Sequence, residues 1–197
     1  MLLALIRHGQ TDWNLALRMQ GRADIPLNAT GRAQARAAAS GIAALAPWNL
    51  VVSSTLGRAR ETAAILAAEL GIELGGAYDE LVEEEFGDAE GMLVAEVRHR
   101  WPVRDTIPNA EPAAEVGPRG LRGLERIRAD HPGRSVLAVA HGTLIRRTLA
   151  EITGHDAADY PKLDNCSASL IEADASGWTV HTAGGVPLAE LLGDAVA

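Results

Sequence analysis

Residues 2–9 read LLALIRHG and residues 135–142 read SVLAVAHG. Each stretch is a short apolar run that ends in a histidine followed by a glycine. Apolar runs without alternating polar residues are typical of strands that are buried on both faces of a sheet. A third run, NLVVS at residues 49–53, has the same character. The three runs predict strands at the centre of the fold.

Helical segments alternate with these strands along the chain. This alternation predicts an α/β fold, a three-layer αβα sandwich with a mostly parallel central sheet flanked by helices. Residues 92–118 contain four prolines and give no clear pattern. The other predicted elements are helices at 31–46 (N-cap Thr30), 56–70 (ended by Gly71), 119–130 and 142–153 (ended by Gly154), a hairpin of strands 168–173 and 178–182, and a short helix in the tail 188–197.

Charged and imidazole side chains follow the predicted strands at the points where the strands end. In α/β sheets, ligands bind beyond the carboxyl ends of the strands. Arg7 and His8 end the first strand, Arg58 follows the second, and His141 ends the third. The sequence therefore predicts that these four side chains meet in one site.

This combination of side chains favours phosphoryl chemistry. Arginine presents a planar fork that matches phosphate oxygens, and its charge does not titrate near neutral pH. A neutral histidine nitrogen can attack phosphorus, and a nearby acid can protonate the leaving oxygen. The acidic run 83–85 could supply that acid, although such a run is more often a solvated loop. Two alternatives stay open: the histidines could bind a metal ion together with an aspartate, and Cys166 could be a nucleophile rather than a small buried side chain.

Composition and charge exclude several other classes of protein. The 197 residues carry a net charge of −8, which argues against general binding to nucleic acid. Residues 1–63 have a local charge of +4 and the remaining residues one of −12, so the net charge hides an asymmetry along the chain. A single cysteine excludes an internal disulfide framework.

No apolar run approaches the roughly 18 residues of a membrane span, and the start of the sequence has no basic leader. We expect a cytoplasmic protein without membrane partners.

Five motifs in order resemble those of the histidine phosphatase superfamily, also called the phosphoglycerate mutase-like family. The resemblance covers nearly the whole chain. A late loop with Asn165 and Ser167 also resembles the family. The five motifs are LIRHGQT at 5–11 followed by Trp13-Asn14, RMQG at 18–21 with DIPLN at 24–28, SSTLGRARETA at 53–63, LVEEEFGDAEG at 81–91, and AVAHGTLIR at 138–146.

The resemblance implies a role for individual residues. His8 would be the phosphorylated nucleophile, Glu83 the proton donor, and Glu84 the alternative donor. Two positions depart from the family's pattern near that acid: Val82 stands where an arginine is frequent, and Ala89 where an aromatic residue is frequent. The groups expected to bind the phosphoryl group are Arg7, Arg58 and His141, and those expected to contact the substrate are Thr11, Asn14, Gln20, Gly21 and Gly142.

The resemblance further implies one histidine phosphatase domain over residues 1–197, with residues 92–118 as a partial cover over the site. The expected activity is metal-independent hydrolysis of a small phosphorylated metabolite, without a cofactor, by a monomer or homodimer. Phosphoglycerate mutase-type transfer stays open, although only 58 positions separate Glu83 from His141, fewer than in the glycolytic mutases. A non-catalytic phospholigand-binding module also stays open. For the basic residues of the cover, we favour a solvated helix face over substrate contact; they are Arg98, His99, Arg100 and Arg104.

Overall fold

The central sheet has six strands in the computed structural model, which describes residues 1–193. Their order across the sheet is β3-β2-β4-β1-β5-β6. The first four are parallel to one another, β5 is antiparallel to β1, and β6 is antiparallel to β5. Their bounds are β1 Leu2–Arg7, β2 Leu50–Ser54, β3 Glu73–Tyr78, β4 Val136–Ala140, β5 Ala168–Ala173 and β6 Trp178–Val180.

Helices cover both faces of this sheet, as predicted. In β1, Ala4 and Ile6 pack with α2 and α3, whereas Leu3 and Leu5 pack with α5 and α6 on the other face. Within the described residues, no helix is long and apolar enough to span a membrane. The helices are α1 Asp12–Leu15, α2 Ala29–Ala43, α3 Gly57–Leu70, α4 Val94–Arg100, α5 Ala113–Asp130, α6 Gly142–Thr153 and α7 Leu188–Leu192, and a short hairpin is formed by β7 Thr182–Ala183 and β8 Val186–Pro187.

The structure differs from the sequence prediction at several element bounds. Helix α2 begins two residues early, because Asn28 rather than Thr30 caps it by accepting the Gly31 N–H at 2.8 Å. Helix α5 begins at Ala113 and contains Pro118. Strand β3 was not predicted. Residues 194–197 of the predicted tail helix lie outside the described part of the chain.

The segment 92–118, expected as one cover, divides into two parts. Residues 94–107, which include α4, contribute seven residues to the wall of the cavity described below. Residues 113–118 instead form the first turns of α5, where Val116 belongs to the core against α6.

The register of the parallel strands aligns the ends that carry the candidate residues. Arg7 pairs with Ala140, and the neighbouring Val139 pairs with Ser53 on β2. The His8 N–H donates to the Ala140 carbonyl at 3.0 Å. Because three strands end at one level, the residues that follow them open on the same edge of the sheet.

Candidate active site

His8 lies at the centre of this edge and is 3% exposed. Its Nδ1 lies 2.7 Å from the carbonyl oxygen of Gly9, so Nδ1 carries the proton and donates it. Its Nε2 therefore has a lone pair, which accepts a hydrogen bond from Nε of Arg58 at 3.2 Å. Burial, followed by the charges of Arg58 and Arg7, lowers the pKa of His8 well below its usual value. The imidazole is neutral at neutral pH, with a defined tautomer.

The Gly9 peptide that fixes this tautomer is itself held in place. Thr62 Oγ1 accepts the Gly9 N–H at 3.1 Å and donates to the Arg58 carbonyl at 2.8 Å. Glycine is required at position 9 because a Cβ there would lie 2.5 Å from the carbonyl oxygen of Gly31 in α2. The turn after β1 is thus packed directly against the backbone of a neighbouring helix.

Arg58 is completely buried. Its Nη1 donates to the Ala23 carbonyl at 2.9 Å, and its Nη2 donates to the Gly21 carbonyl at 2.7 Å. Burial lowers the pKa of Arg58 to about 10, so the guanidinium stays charged at neutral pH. Asp24, from the same loop, accepts the Gly57 N–H at 2.8 Å and so caps the start of α3. The loop 21–24 therefore holds both the arginine and the helix that carries it.

Arg7 is the last residue of β1 and directly precedes His8. Its Nη1 donates to the Leu163 carbonyl at 2.6 Å, whereas its buried Nε has no hydrogen-bond partner among the described residues. A Cβ at Gly142 would lie 3.3 Å from that Nε, so the glycine lets the guanidinium pack on the start of α6. Arg7 lines the cavity, and its buried Nε is a donor that no group in the described chain uses.

His141 stands beside His8, with the two ring centroids 5.1 Å apart. Its Nε2 lies 2.9 Å from Oγ of Ser54, and its buried Nδ1 has no partner within the described chain. Burial, followed by the charges of Arg58, His8 and Arg7, lowers the pKa of His141 well below its usual value. Two neutral histidines and two arginines thus meet at one edge of the sheet, as the sequence predicted.

Glu83 and Glu84 have different surroundings. The Glu83 carboxylate lines the cavity and accepts the N–H groups of Thr143 and Leu144, at 3.0 and 2.8 Å, at the start of α6. Glu84 is 1% exposed and is absent from the cavity wall. Its oxygens bind Nε of Arg104 at 2.6 Å and Nε of Arg147 at 3.1 Å. Of the two, Glu83 is the carboxylate that faces the cavity.

The residues expected to contact substrate fall into two groups. Asn14, Gln20 and Gly142 line the cavity, whereas Thr11 and Gly21 do not. Thr11 Oγ1 lies behind the wall and donates to Oε1 of Gln20 at 2.6 Å. The Gly21 carbonyl holds Arg58, as described above. Thr11 and Gly21 therefore support the site from outside the cavity.

A hydrogen-bonded chain of amides forms one wall of the cavity. Asn14 Nδ2 donates to Oε1 of Gln20 at 2.8 Å, and Asn165 Nδ2 donates to Oδ1 of Asn14 and to the His8 carbonyl. These bonds to Oε1 fix the orientation of the Gln20 amide. Its Nε2 is buried and has no partner in the described chain. The wall thus contributes a second fixed donor besides Arg7.

The cavity has a volume of about 480 Å³. The acidic side chains on its wall are Glu83 and Asp164. The basic side chains on its wall are Arg7, Arg18, Arg98, Arg104, Arg146 and Lys162, and the apolar ones include Leu17, Met19, Phe86, Val94, Val97, Trp101, Ile107 and Leu163. The excess of positive charge suits an anionic ligand with a partly apolar body.

Four basic residues of the cover were predicted to form a solvated face. His99 and Arg100 are exposed on α4 and lie off the cavity wall, as expected, whereas Arg98 is exposed but also lines the cavity. Arg104 is different, because it binds Glu84 and lies over the Phe86 ring at 4.5 Å. Arg104 therefore fixes the cover to the segment that carries Glu83.

Arg146 and Leu17 are among the cavity residues that sequence reasoning missed. Arg146 follows Gly142 by four residues in α6, so helical periodicity could have placed both on one face. Nothing in the sequence pattern marks Leu17. Among residues 1–193, no group of three or more His, Cys, Asp and Glu side chains is arranged to hold a metal ion.

The model of the histidine phosphatase superfamily (branch 1) matches residues 3–184. The chain belongs to this superfamily. A relative in Bacillus subtilis (strain 168), named "Uncharacterized phosphatase PhoE", is 39% identical over 180 residues, which are 90% of this chain and 91% of that protein. A relative in Serratia proteamaculans (strain 568), named "Probable phosphoglycerate mutase GpmB", is 34% identical over 92% of each chain.

A solved structure shares the same fold. It is that of a mycobacterial glucosyl-3-phosphoglycerate phosphatase in complex with VO3, which is 30% identical and has a TM-score of 0.79, covering 93% of this chain and 98% of the other. The family and the phosphatase names of its members agree with the expected class, phosphoric monoester hydrolase.

Proposed function

We propose that this protein hydrolyses a small phosphorylated metabolite, without a metal ion, through a phosphohistidine on His8. The observation that carries the proposal is the state of the His8 ring. Its Nδ1–H is bound to the Gly9 carbonyl, its Nε2 has a lone pair, and burial keeps it neutral. A neutral, oriented imidazole beside two guanidinium groups is suited to attack an electron-poor phosphorus atom.

The reaction has two steps that share the same groups. In the first, Nε2 of His8 forms a bond to phosphorus and the ester P–O bond breaks. The leaving oxygen takes a proton from the Glu83 carboxyl group. In the second, water attacks the phosphohistidine, gives a proton back to Glu83, and the P–N bond breaks to release inorganic phosphate. Backbone N–H groups at the start of α6 hold the Glu83 carboxyl group at the cavity wall, in position for both proton transfers.

Positive charge would stabilise the phosphoryl oxygens in both steps. Arg58 Nε already lies at the His8 lone pair, where a phosphoryl group would take its place as the partner of Nε2. Arg7 Nε and His141 Nδ1 are buried and have no partner among the described residues, so each is available to a phosphoryl oxygen. Fixed donors of this kind are effective because they need no reorganisation during the reaction.

The test is to trap the phosphorylated histidine. Rapid quenching with labelled substrate should yield an adduct that is labile in acid and stable in base. His8→Ala should abolish it, while His99→Ala, a change at an exposed histidine of α4, should leave it intact. Persistence of the adduct in His8→Ala would show that another residue is the nucleophile.

Independence from metal ions is tested separately. The two arginines supply the charge stabilisation that a metal supplies in other phosphatases. Activity should survive EDTA, and vanadate should inhibit it by adopting the trigonal-bipyramidal geometry of the transition state. Loss of activity in EDTA and its recovery with a divalent ion would contradict this part of the proposal.

Phosphoglycerate mutase-type transfer is the second candidate, since the Serratia relative bears that name. The two activities differ in the fate of the phosphohistidine. The protein should be supplied with 3-phosphoglycerate and a trace of the 2,3-bisphosphate, while inorganic phosphate and 2-phosphoglycerate are both followed. We expect phosphate release. Rapid isomerisation with little phosphate would favour the mutase.

A further inference from the structure

Leu17 has a backbone conformation that normally belongs to glycine. Its φ is +54°, in the left-handed region. It follows the end of α1 in a Schellman motif, in which the Leu17 N–H donates to the Asn14 carbonyl and the Arg18 N–H donates to the Trp13 carbonyl. Glycine is the usual residue at this position because a Cβ is strained there. The backbone therefore gives no reason for a leucine.

The core gives no reason for it either. The Leu17 side chain is 61% exposed, so it contributes little buried apolar surface to the fold. Leu17 therefore strains the backbone and exposes apolar surface to water. A strained residue of this kind is usually retained because it has a function. The location of the side chain suggests what that function is.

Leu17 lies on the wall of the cavity that contains His8. Its carbonyl accepts the N–H of Val94 at 2.9 Å, which ties it to the first turn of α4. Val97 and Trp101 continue the same apolar wall along the cover. The neighbouring Arg18 uses Nη1 to donate to the Gly91 carbonyl at 2.6 Å. This side of the cavity thus presents apolar side chains, with the charge of Arg98 beside them, to whatever extends outwards from the phosphoryl group.

We propose that Leu17 is a specificity-determining residue that contacts an apolar part of the leaving group. This inference rests on the proposed function, and it names the substrate class more closely: a phosphomonoester whose alcohol has a hydrocarbon portion that reaches the cover. The strained backbone at Leu17 is retained because the side chain contributes to binding of this portion.

Two primary alkyl phosphates test the inference, because their leaving groups have the same chemistry and differ in apolar length. The unaltered protein should hydrolyse hexyl phosphate with a higher kcat/KM than ethyl phosphate. Leu17→Gly should lower kcat/KM for hexyl phosphate at least fivefold more than for ethyl phosphate, mainly through KM. Because glycine relieves the strain, its melting temperature should equal or exceed that of the unaltered protein.

Leu15→Ala is the matched control. Leu15 lies two residues earlier, is 67% exposed and is not part of the cavity wall, so this variant should leave the hexyl-to-ethyl ratio unchanged. An unchanged ratio in Leu17→Gly, or a marked fall in its melting temperature, would overturn the inference while leaving the proposed function intact. Failure of the unaltered protein to hydrolyse hexyl phosphate would overturn this inference, whereas the proposed function itself fails if no phosphohistidine forms on His8.

Discussion

Arg58 donates a hydrogen bond from Nε to Nε2 of His8 at 3.2 Å, so a cation lies at the lone pair of a neutral imidazole. A protonated His8 could not accept this bond, and its charge would be repelled by the guanidinium. The pair is therefore compatible with one protonation state of the ring. Protonation of His8 or substitution of Arg58 should therefore break this hydrogen bond.

The stability of the fold should decrease on mild acidification. His8 and His141 have pKa values well below 6.5 in the folded protein, mainly through burial. Well above pH 6.5 both are neutral in the folded and the unfolded chain. As the pH falls below that value, the unfolded chain binds protons that the folded chain does not. Each histidine should then remove up to about 1.4 kcal/mol of unfolding free energy per pH unit.

Urea titrations between pH 7.5 and 5 measure this slope. His141→Gln should reduce it, because one of the two buried histidines is gone. His99→Gln should not, since His99 is exposed. Equal slopes in the two variants would contradict the assignment of a buried neutral state to His141.

Arg58→Ala should destabilise the fold as well as abolish activity. The substitution leaves the Gly21 and Ala23 carbonyls without their donors and opens a cavity at a fully buried position. The expected loss is about 3 kcal/mol or more. Arg60→Ala, two residues later in the same helix at an exposed position, should change stability by less than about 0.5 kcal/mol. Similar melting temperatures for the two variants would contradict this description of Arg58.

Substitutions of Glu83 and Glu84 should have different signatures. Glu83→Gln should slow hydrolysis of alkyl phosphates strongly and that of p-nitrophenyl phosphate much less, because nitrophenolate leaves without a proton. Glu84→Gln should affect both substrates alike, since Glu84 acts through Arg104 and Arg147. A larger selective loss in Glu84→Gln would shift the acid role by one position.

The ion pair between Glu84 and Arg104 should contribute measurably to stability. Glu84 is almost fully buried, so the pair is poorly screened by water. A double-mutant cycle with Glu84→Gln and Arg104→Gln should give a coupling energy of roughly 1–3 kcal/mol. The exposed pair of Arg36 and Glu69, 4.0 Å apart, should give about 0.5 kcal/mol or less. Indistinguishable coupling energies would mean that Arg104 does not anchor the cover.

The strands that form the site could be predicted because their sequences are unambiguous. LLALI and VLAVA are apolar throughout, and parallel strands end at one edge, so the meeting of Arg7, His8 and His141 follows from the sequence. Strand β3 could not be predicted in this way. It lies at the sheet edge, most of its residues are exposed, and it contains Gly75-Gly76, so neither alternation nor β-propensity marks it.

Other features depend on contacts between distant parts of the chain. The early start of α5 could not be predicted because Pro118 lies inside the helix. Proline has no N–H to donate to the Ala114 carbonyl, and the helix tolerates this because Ala114 is exposed to water. The environment of Arg58 depends on carbonyls more than 30 residues away. The family resemblance placed Thr11 at the substrate, but the fold turns it towards Gln20. Sequence motifs identify such residues without revealing which face of the wall they occupy.

The two carbonyls of the loop 21–24 have a further consequence for ligand capture. An arginine side chain that is ordered only when its ligand arrives loses up to about 2 kcal/mol of rotamer entropy at that moment. Arg58 loses this freedom when the chain folds, because Gly21 and Ala23 already fix its guanidinium. On the proposed function, a phosphate group would therefore meet a donor that is already immobile. The inorganic phosphate that hydrolysis would leave behind would contact the same immobile donor. Because its release would not restore rotamer entropy to Arg58, the phosphate would dissociate more slowly.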